Sequence, residues 1–213
     1  MPLSATPLPT DSGRRLTLAI TGASGSVFAQ HMLRALEADA RVARVQLVAS
    51  PAALRVLAEE STISGRNSLI EKLLGHPPQK TTQLAHDDIG ASIASGSAPC
   101  DGMMILPCSM GTLAAIAHGL AANLIERAAD VCLKERRPLI LCVRETPLNL
   151  IHIRNMAAVT EAGATVFPLI PTFSNHPHTV DDIIRNSVHR VLQHIGLPQP
   201  GAFAWNPAAN PRP

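Results

Sequence analysis

The stretch LTLAITGASGSVFAQHMLRALEA, residues 16–38, contains the repeating unit of the fold. LTLAIT (16–21) is a short apolar run rich in β-forming residues, and a Gly-Ala-Ser-Gly turn follows it. From Ser26 to about Ala38 the pattern is that of an amphipathic helix. The stretch therefore predicts a strand, a tight turn and a helix in direct succession.

The same unit recurs along the chain. The further predicted strands are VARVQLVAS (42–50), GMMILPCS (102–109), PLILCVRE (138–145) and ATVFPLIP (164–171). The helices expected after them are PAALRVLAEE, TLAAIAHGLAANLIERAADVCLKE, a segment around NLIHIRNMAAVTEAG, and a last helix over about Thr179 to Ile195. Apolar strands that alternate with helices form parallel sheets covered on both faces. We therefore expect an α/β fold, a single-domain Rossmann-like (flavodoxin-like) parallel sheet with helices on both faces.

Length and composition fit one folded domain. A chain of 213 residues suits a single domain. We expect a disordered leader over residues 1–15, the domain over 16–197 and a tail over 198–213. Hydrophobic residues make up 46% of the chain and aromatic residues only 2%, so the core is expected to be aliphatic.

Several classes of protein are disfavoured. The net charge is +2 and the basic residues are scattered, so the sequence shows no basic patch of the kind that binds nucleic acid. No apolar run reaches the roughly 18 residues of a membrane helix, and the N-terminus lacks the apolar segment of a signal peptide. The four cysteines form no CxxC pair, which favours reduced thiols. We expect a cytoplasmic protein that binds neither nucleic acid nor membrane.

Polar residues gather where the predicted strands end. The five strand exits read TGASGS, VAS, LPCSMGT, VRET and PTFSNHP. Ligands of open α/β sheets bind beyond the carboxyl ends of the strands. The five exits therefore predict one shared pocket.

The TGASGS turn is by itself a weak signal, common to many nucleotide-binding turns. Its glycines permit close backbone approach, and the following helix offers N–H groups to an anion. Ser24 breaks the G-x-G-x-x-G fingerprint of dinucleotide sites. A short-chain reductase would have glycines where Ser26 and Phe28 stand, and a catalytic tyrosine, whereas this chain has no tyrosine.

Other motifs each have a plain structural alternative. Ser109 and Thr112 in PCSMGT could hold a phosphate or heterocycle, or simply cap the next helix. Cys108 lacks a histidine partner and is interpreted as a small core residue. Arg127 and Lys134 lie seven residues apart and thus on one helix face, by default a solvated face.

Charges beside buried strands are more informative. Arg144 and Glu145 follow directly on a buried-looking strand, where charges are costly unless they are used. His176 and His178 form an H-x-H, but no third ligand is suitably spaced, so we expect no metal. Arg190 on the last helix would ordinarily be a surface residue.

Taken together, these motifs resemble the flavin prenyltransferase (UbiX-like) family, within the FMN-binding cysteine-decarboxylase-type flavoproteins. The resemblance covers about Leu16 to Trp205. It rests on TGASG, ASGSAP (94–99), PCSMGTLAAIAHGL, NLIERAADVCLKERRPLILCVRETPL, NM (155–156) and PTFSNHP, of which RAADVCLKERRPL and RETPL are the most specific.

The resemblance implies a function. Members transfer a dimethylallyl group from dimethylallyl phosphate to reduced FMN, joining it at N5 and C6 without a metal. The prenylated FMN serves a UbiD-like decarboxylase. The family forms trimers that assemble into a dodecamer, with active sites at subunit interfaces.

The resemblance also implies site residues. Those expected to line the FMN are Gly22, Ala23, Ser24, Ser50, Ser109, Met110, Gly111, Thr112 and Arg144. Those expected around the donor's phosphate are Arg127, Lys134, Arg144 and Arg190, some from a neighbouring subunit. Ser24 and Glu60 would lie near the reacting centre. Glu145 would protonate the leaving phosphate or accept the flavin's proton, and Trp205 in the tail would close over the site.

One position departs from the family. Relatives usually carry P-x-F-Y-x-x-P, whose tyrosine hydroxyl holds the donor's phosphate, but Ser174 stands there in PTFSNHP. A neutral hydrogen bond contributes about 0.5–1.5 kcal/mol, so we expect weaker donor binding and room for a longer prenyl chain or a bridging water.

Two alternatives remain open. The first is an FMN-binding carrier, or an accessory subunit of an aromatic-acid decarboxylase, that does not prenylate; Ser174 favours it, whereas Glu60, Lys134, Arg144 and Glu145 favour the enzyme. The second is a decarboxylase of peptidyl cysteine, which the RAADVCLKERRPL run disfavours.

Overall fold

A computed structural model describes residues 13–205 as alternating strands and helices. The strands are β1 (Arg14–Ile20), β2 (Val42–Ala49), β3 (Thr81–Leu84), β4 (Gly102–Cys108), β5 (Leu139–Val143) and β6 (Thr165–Val166). The helices are α1 (Ser26–Ala38), α2 (Pro51–Glu60), α3 (Leu69–Leu74), α4 (Met110–Ala117), α5 (Leu124–Lys134), α6 (Leu150–Glu161) and α7 (Val180–His194), with one 3₁₀ turn at Ser92–Ala94.

The six strands form one parallel sheet in the order β3-β2-β1-β4-β5-β6. The chain builds outward from β1 through β2 to β3, then returns to the other side of β1 with β4. The point where the order reverses, between β1 and β4, is where ligands of such sheets bind. The expected α/β fold class is confirmed.

Helices cover both faces of the sheet because every central strand is apolar on both sides. Leu16, Leu18 and Ile20 of β1 pack into a core with α1, α2, α3 and α7. Ala19 between them faces the opposite core, which α4 and α5 complete. β4 and β5 are buried along their whole length, and β1 is buried from Leu16 to Ile20.

The structure differs from the sequence prediction in the middle of the chain. The segment from Thr112 to Glu135 is not one helix but two, α4 and α5, because the chain turns at Gly119, whose φ is +66°. β3 and α3 were not predicted; they are four and six residues long, too short for a clear periodic pattern. The last predicted strand, 164–171, is reduced to β6, although backbone hydrogen bonds with β5 continue to Leu169.

The predicted domain boundary also shifts. β1 begins at Arg14, two residues before the expected start of the domain. Residues 1–12 of the predicted leader and residues 206–213 of the predicted tail lie outside the described residues. Within residues 13–205, no helix is long and apolar enough to cross a bilayer.

Candidate functional site

The TGASGS turn joins β1 to α1 and is held by a carboxylate from α2. Gly25 lies in the left-handed region, with φ +107°, which glycine adopts without strain. The Glu60 carboxylate accepts hydrogen bonds from the backbone N–H groups of Gly25, at 3.0 and 3.1 Å, and Ser26, at 2.8 Å. The anion at the start of α1 is thus a side chain of this protein, placed where the helix dipole favours negative charge.

The surroundings of Glu60 keep its side chain ionised. Burial opposes ionisation, but hydrogen bonds from the side chain of Ser24 and from Ser26 and Gly25 outweigh it, so the pKa of Glu60 lies below its ordinary value of 4.5. Glu60 is therefore a hydrogen-bond acceptor at neutral pH. Its carboxylate also accepts the hydrogen bond of Ser24, and the resemblance places both residues near the reacting centre.

Gly22 is required by packing. A Cβ at Gly22 would lie 2.6 Å from the Cβ of Ala52 in α2. The prediction placed Gly22 against the flavin, and the structure adds that α2 already occupies the space of its side chain. Ala23 beside it is buried, whereas Ser24 is exposed at the tip of the turn.

Arg144 reaches the same turn from the end of β5. Its Nε donates to the backbone carbonyl of Ser24 at 3.2 Å, across 120 residues of sequence. Arg144 as a whole is half-buried, whereas Glu145 beside it is exposed and accepts a hydrogen bond from the Thr146 N–H at 3.0 Å. Arg144 therefore places a cation at the turn, and Glu145 follows it in the chain.

Thr21 connects the exits of β1 and β4, and sequence reasoning missed it. Its hydroxyl donates to the Pro107 carbonyl at 2.8 Å and accepts from the Ser109 N–H at 2.8 Å. Thr21 is buried, so these bonds satisfy a polar group inside the core. The only hint in the sequence was a threonine at the end of an apolar strand.

Two predicted hydroxyls cap helices. The Ser50 Oγ accepts from the Ala53 N–H at 3.1 Å and begins α2, and the Ser109 Oγ accepts from the Thr112 N–H at 3.3 Å and begins α4. The plain structural alternative for Ser109 is thus observed. The remaining predicted flavin contacts at this exit are Met110, which is buried, and Gly111, which is exposed.

We call this assembly the carboxyl-edge cluster: Gly22–Ser24, Ser50, Glu60, Ser109–Thr112 and Arg144. It lies at the exits of β1, β2, β4 and β5, around the switch point of the sheet. A Cβ at Gly111 would have no atom within 4 Å, so the backbone there is open to an approaching flat ring. Capped helix starts, a cation and an open glycine fit a flavin mononucleotide.

The α5 cations, Arg127 and Lys134, face a different part of the chain. The Nε of Arg127 donates to the Ala94 carbonyl at 3.1 Å, and its Nη1 lies 2.5 Å from Asp130. Lys134 pairs with Glu135 and crowds Gly96. Both predicted phosphate ligands therefore lie against the segment 94–96, and Lys134, which ends α5 just before β5, lies near the amino edge of the sheet.

The predicted residues Ser174, Arg190 and Trp205 meet in a third place, a cavity of about 400 Å³ beside α7. Thr172, Asn186, Gln193, Phe203 and Ala204 complete its lining, so it contains no member of the carboxyl-edge cluster. Arg190 is exposed and bonds Gln193 at 2.7 Å, and 64% of Trp205 is exposed. We call this cavity the loop cleft.

One chain thus divides the predicted site into three parts. Residues expected at the flavin come together, and residues expected at the phosphate are split among the loop cleft, α5 and, for Arg144, the carboxyl-edge cluster. Among residues 13–205, no three His, Cys, Asp or Glu side chains are grouped as a metal ion would require.

Known proteins are similar to this chain in sequence and in fold. The Flavoprotein family matches residues 4–192. The flavin prenyltransferase UbiX of Salmonella typhimurium is 44% identical over 189 residues, which is 88% of this chain and 94% of that protein.

Two solved structures match the fold with a TM-score of 0.81. AnUbiX (PadA1) in complex with FMN and dimethylallyl pyrophosphate is 39% identical, covering 91% of this chain and 98% of the other. A dodecameric FMN-dependent Ubix-like decarboxylase from Escherichia coli O157:H7 is 40% identical, covering 90% and 99%.

Proposed function

The chain belongs to the flavoprotein family and, within it, to the flavin prenyltransferases, and from this we propose that it transfers a dimethylallyl group from dimethylallyl phosphate to reduced FMN. The observation that carries the proposal is the carboxyl-edge cluster, which forms at the switch point from residues that the family motifs predict. The AnUbiX relative, crystallised with FMN and dimethylallyl pyrophosphate, supports FMN and a donor that carries a dimethylallyl group.

In this proposal the carboxyl-edge cluster binds the flavin. Arg144 lies at Ser24, and Glu60 fixes Ser24 by accepting its hydrogen bond. FMN, when bound in reduced form, supplies the electron-rich acceptor. The role of this chain is to hold that acceptor beside the donor and to exclude water, which would otherwise capture the allylic cation.

The basic residues and Glu145 bind the phosphate of the donor in this proposal. Cleavage of the donor's C–O bond develops negative charge on the phosphate, which fixed cations stabilise. Arg144 is one such cation, and we assign Arg190, Arg127 and Lys134 as the others. Glu145, exposed beside Arg144, is the general acid that protonates the leaving phosphate or accepts the flavin's proton.

The α5 cations reach the cluster from a neighbouring copy in this proposal. Four large apolar side chains after β5 are 46–65% exposed: Leu148, Leu150, Ile151 and Ile153. A patch of this kind at the start of α6 favours contact with another subunit. The E. coli relative is dodecameric, and we propose the same assembly here, with active sites between subunits.

Mixed assemblies test the shared site. Arg127→Ala removes a phosphate cation that one subunit supplies, and Glu145→Gln removes the acid that its neighbour supplies. Each variant alone is therefore expected to lose prenyl transfer. When the two are co-expressed with different tags and purified together, part of the activity should return, because some interfaces pair an intact α5 with an intact Glu145. Activity no higher than that of either variant alone would contradict an interfacial site.

The product is proposed to serve a UbiD-like decarboxylase in the cytoplasm. The main test of the activity is anaerobic incubation with reduced FMN and dimethylallyl phosphate, followed by mass spectrometry of the flavin. We expect a flavin heavier by one dimethylallyl group. FMN recovered unchanged, under conditions in which the Salmonella typhimurium relative converts it, would refute prenyl transfer.

A second candidate is an FMN carrier or accessory subunit of an aromatic-acid decarboxylase. Ser174 favours it, because a serine in the loop cleft reaches less far than a tyrosine would. The same incubation decides between the two, since a carrier would bind FMN tightly but return it unmodified.

A further inference from the structure

The chain leaves α7 in a fixed direction. The N–H of Leu197 donates to the Leu192 carbonyl at 2.8 Å, and the N–H of Gly196 donates to the Gln193 carbonyl at 3.1 Å. This pair of bonds is a Schellman motif, a common end of an α-helix. Leu197 and Leu192 are both buried in the core that α1 and α7 share. The segment after α7 therefore starts from a packed residue.

Two charged residues that follow α1 hold this segment. The side-chain amide of Gln199 donates to Oδ2 of Asp39 at 3.0 Å, and the guanidinium of Arg41 donates to the Pro198 carbonyl at 3.0 Å. Arg41 also donates to Asp39 at 2.6 Å. Asp39 ends α1 and Arg41 directly precedes β2, so the segment is tied to the amino edge of the sheet. We call Asp39, Arg41 and Gln199 the tail anchor.

The Asp39 carboxylate is the centre of the tail anchor. Its side chain is only 7% exposed. Hydrogen bonds from the side chain of Arg41 hold the pKa of Asp39 well below its ordinary value of 3.8, although burial acts in the opposite direction. Hydrogen bonds to an ionised carboxylate are stronger than those between neutral groups. Asp39 is therefore a charged acceptor that holds Gln199 firmly.

A turn then reverses the chain. The N–H of Ala202 donates to the Gln199 carbonyl at 3.1 Å. Pro200 and Gly201 occupy the centre of the turn, and Gly201 has φ +73°, which is the residue pattern of a type II turn. Residues 203–205 after the turn line the loop cleft. The turn thus directs the tryptophan that ends the described chain to the cleft.

We propose that Asp39, Arg41 and Gln199 are positioning residues that hold Trp205 at the loop cleft for binding of the prenyl donor. In the part of the chain that the structure describes, the lining of the cleft includes none of the three, so they act through the tail. The inference rests on the proposed function, which assigns Arg190 in this cleft to the donor's phosphate.

The physical reason is the loss of conformational freedom on binding. A tryptophan on a short, anchored segment loses less freedom when a ligand fixes it than a tryptophan on a free tail would. Loosening the tail anchor should therefore weaken binding of dimethylallyl phosphate. It should leave the affinity for FMN unchanged, because the carboxyl-edge cluster contains no residue of the anchor.

The fluorescence of Trp205 reports the position of the tail directly, because the chain has one tryptophan and no tyrosine. The test uses the full chain in its native assembly, with equal FMN content in every variant. Gln199→Ala removes the amide bond to Asp39 and leaves the Asp39–Arg41 pair in place. We expect a larger fast component in the anisotropy decay of Trp205. The KM for dimethylallyl phosphate should rise a few-fold, with FMN affinity unchanged.

Two variants of Asp39 grade the effect. Asp39→Ala removes the acceptor of both Gln199 and Arg41 and should loosen the tail further. Asp39→Asn keeps a side-chain oxygen for Gln199 and should loosen the tail less than Asp39→Ala. Gln79→Ala, at an exposed glutamine before β3, is the matched control and should leave the decay unchanged. If a variant of Asp39 does not fold, Gln199→Ala still decides, since Gln199 lies outside the hydrophobic core.

An anisotropy decay of Gln199→Ala equal to that of the unchanged protein would overturn the inference, whatever its KM. A faster decay with an unchanged KM would overturn the role in donor binding. A protein that returns FMN unmodified would refute the proposed function, yet its fluorescence would still report the tail. The two failures are therefore distinguishable.

Discussion

The carboxyl-edge cluster and the loop cleft are held in opposite ways. In the cluster, backbone and side chain bonds join TGASGS to residues from 34 to 120 positions away, as in Ser26–Glu60 and Ser24–Arg144. In the loop cleft, Arg190 bonds only a residue of its own helix among the contacts described, and Trp205 is mostly exposed. The carboxyl-edge cluster is therefore fixed by bonds between distant segments of one chain, whereas Arg190 and Trp205 in the loop cleft are held more loosely.

The largest expected effect is a loss of kcat that leaves the carboxyl-edge cluster and its FMN affinity unchanged. Glu145→Gln removes the proposed acid, so we expect kcat to fall by about 10²–10⁴-fold, with FMN affinity unchanged because Glu145 makes no bond to the TGASGS turn. Single-turnover formation of prenylated flavin measures the loss. Glu71→Gln, an exposed carboxylate in α3, is the control. A decrease in FMN affinity with normal kcat would place Glu145 in the flavin half.

The next effect tests the rigidity of the cluster. Gly22→Ala forces a Cβ against Ala52, and we expect overpacking to lower the free energy of unfolding by about 1–3 kcal/mol. Urea unfolding followed by circular dichroism measures this. Gly111→Ala is the matched comparison, since its Cβ meets no atom within 4 Å and should not reduce stability. Equal stability of both variants would refute the packing role of Gly22.

A smaller effect sharpens the role of the loop cleft. Ser174→Tyr supplies a longer hydroxyl, and one added hydrogen bond worth about 0.5–1.5 kcal/mol corresponds to a few-fold lower KM for dimethylallyl phosphate. The ring should also fill the cleft and reduce use of geranyl phosphate. Ser64→Tyr, at an exposed serine between α2 and α3 and outside the cleft, is the control. Unchanged KM and unchanged chain-length preference would show that the cleft does not hold the donor.

The smallest effect concerns the acid that caps α1. Glu60→Gln weakens a partly solvated helix-terminus interaction, so we expect a loss of about 0.3–1 kcal/mol of unfolding free energy at pH 7. Because the pKa of Glu60 is lowered in the folded state, its contribution is full above its ordinary value of 4.5 and is lost as the pH falls through the lowered pKa. Urea midpoints of both proteins should therefore converge in acid. A constant difference across this range would contradict an ionic cap.

Local pattern predicted much of the fold because periodicity is a property of neighbouring residues. α1 was predicted from Ser26 to about Ala38 and is observed there, and α7 is bounded by Thr179 and Ile195, its predicted ends. β3 and α3 were not predicted, because a four-residue strand and a six-residue helix contain too few positions to show a hydrophobic period.

Contacts between distant segments could not be predicted in the same way. Nothing around Glu60 indicates that it caps a helix that begins 34 residues earlier, and nothing around Thr21 indicates its bond to Ser109.

The sequence by itself determined the strand-and-helix alternation, the polar strand exits and the family, because each is written in adjacent residues. Only the tertiary structure decided which of those residues meet. Pairing of the parallel strands brings the exits of β1, β2, β4 and β5 to one edge of the sheet. Arg127 and Lys134 instead lie against the segment 94–96. Hydrogen bonds act over a few ångströms, so the packing of the elements, rather than their order in the chain, selects which residues form the site.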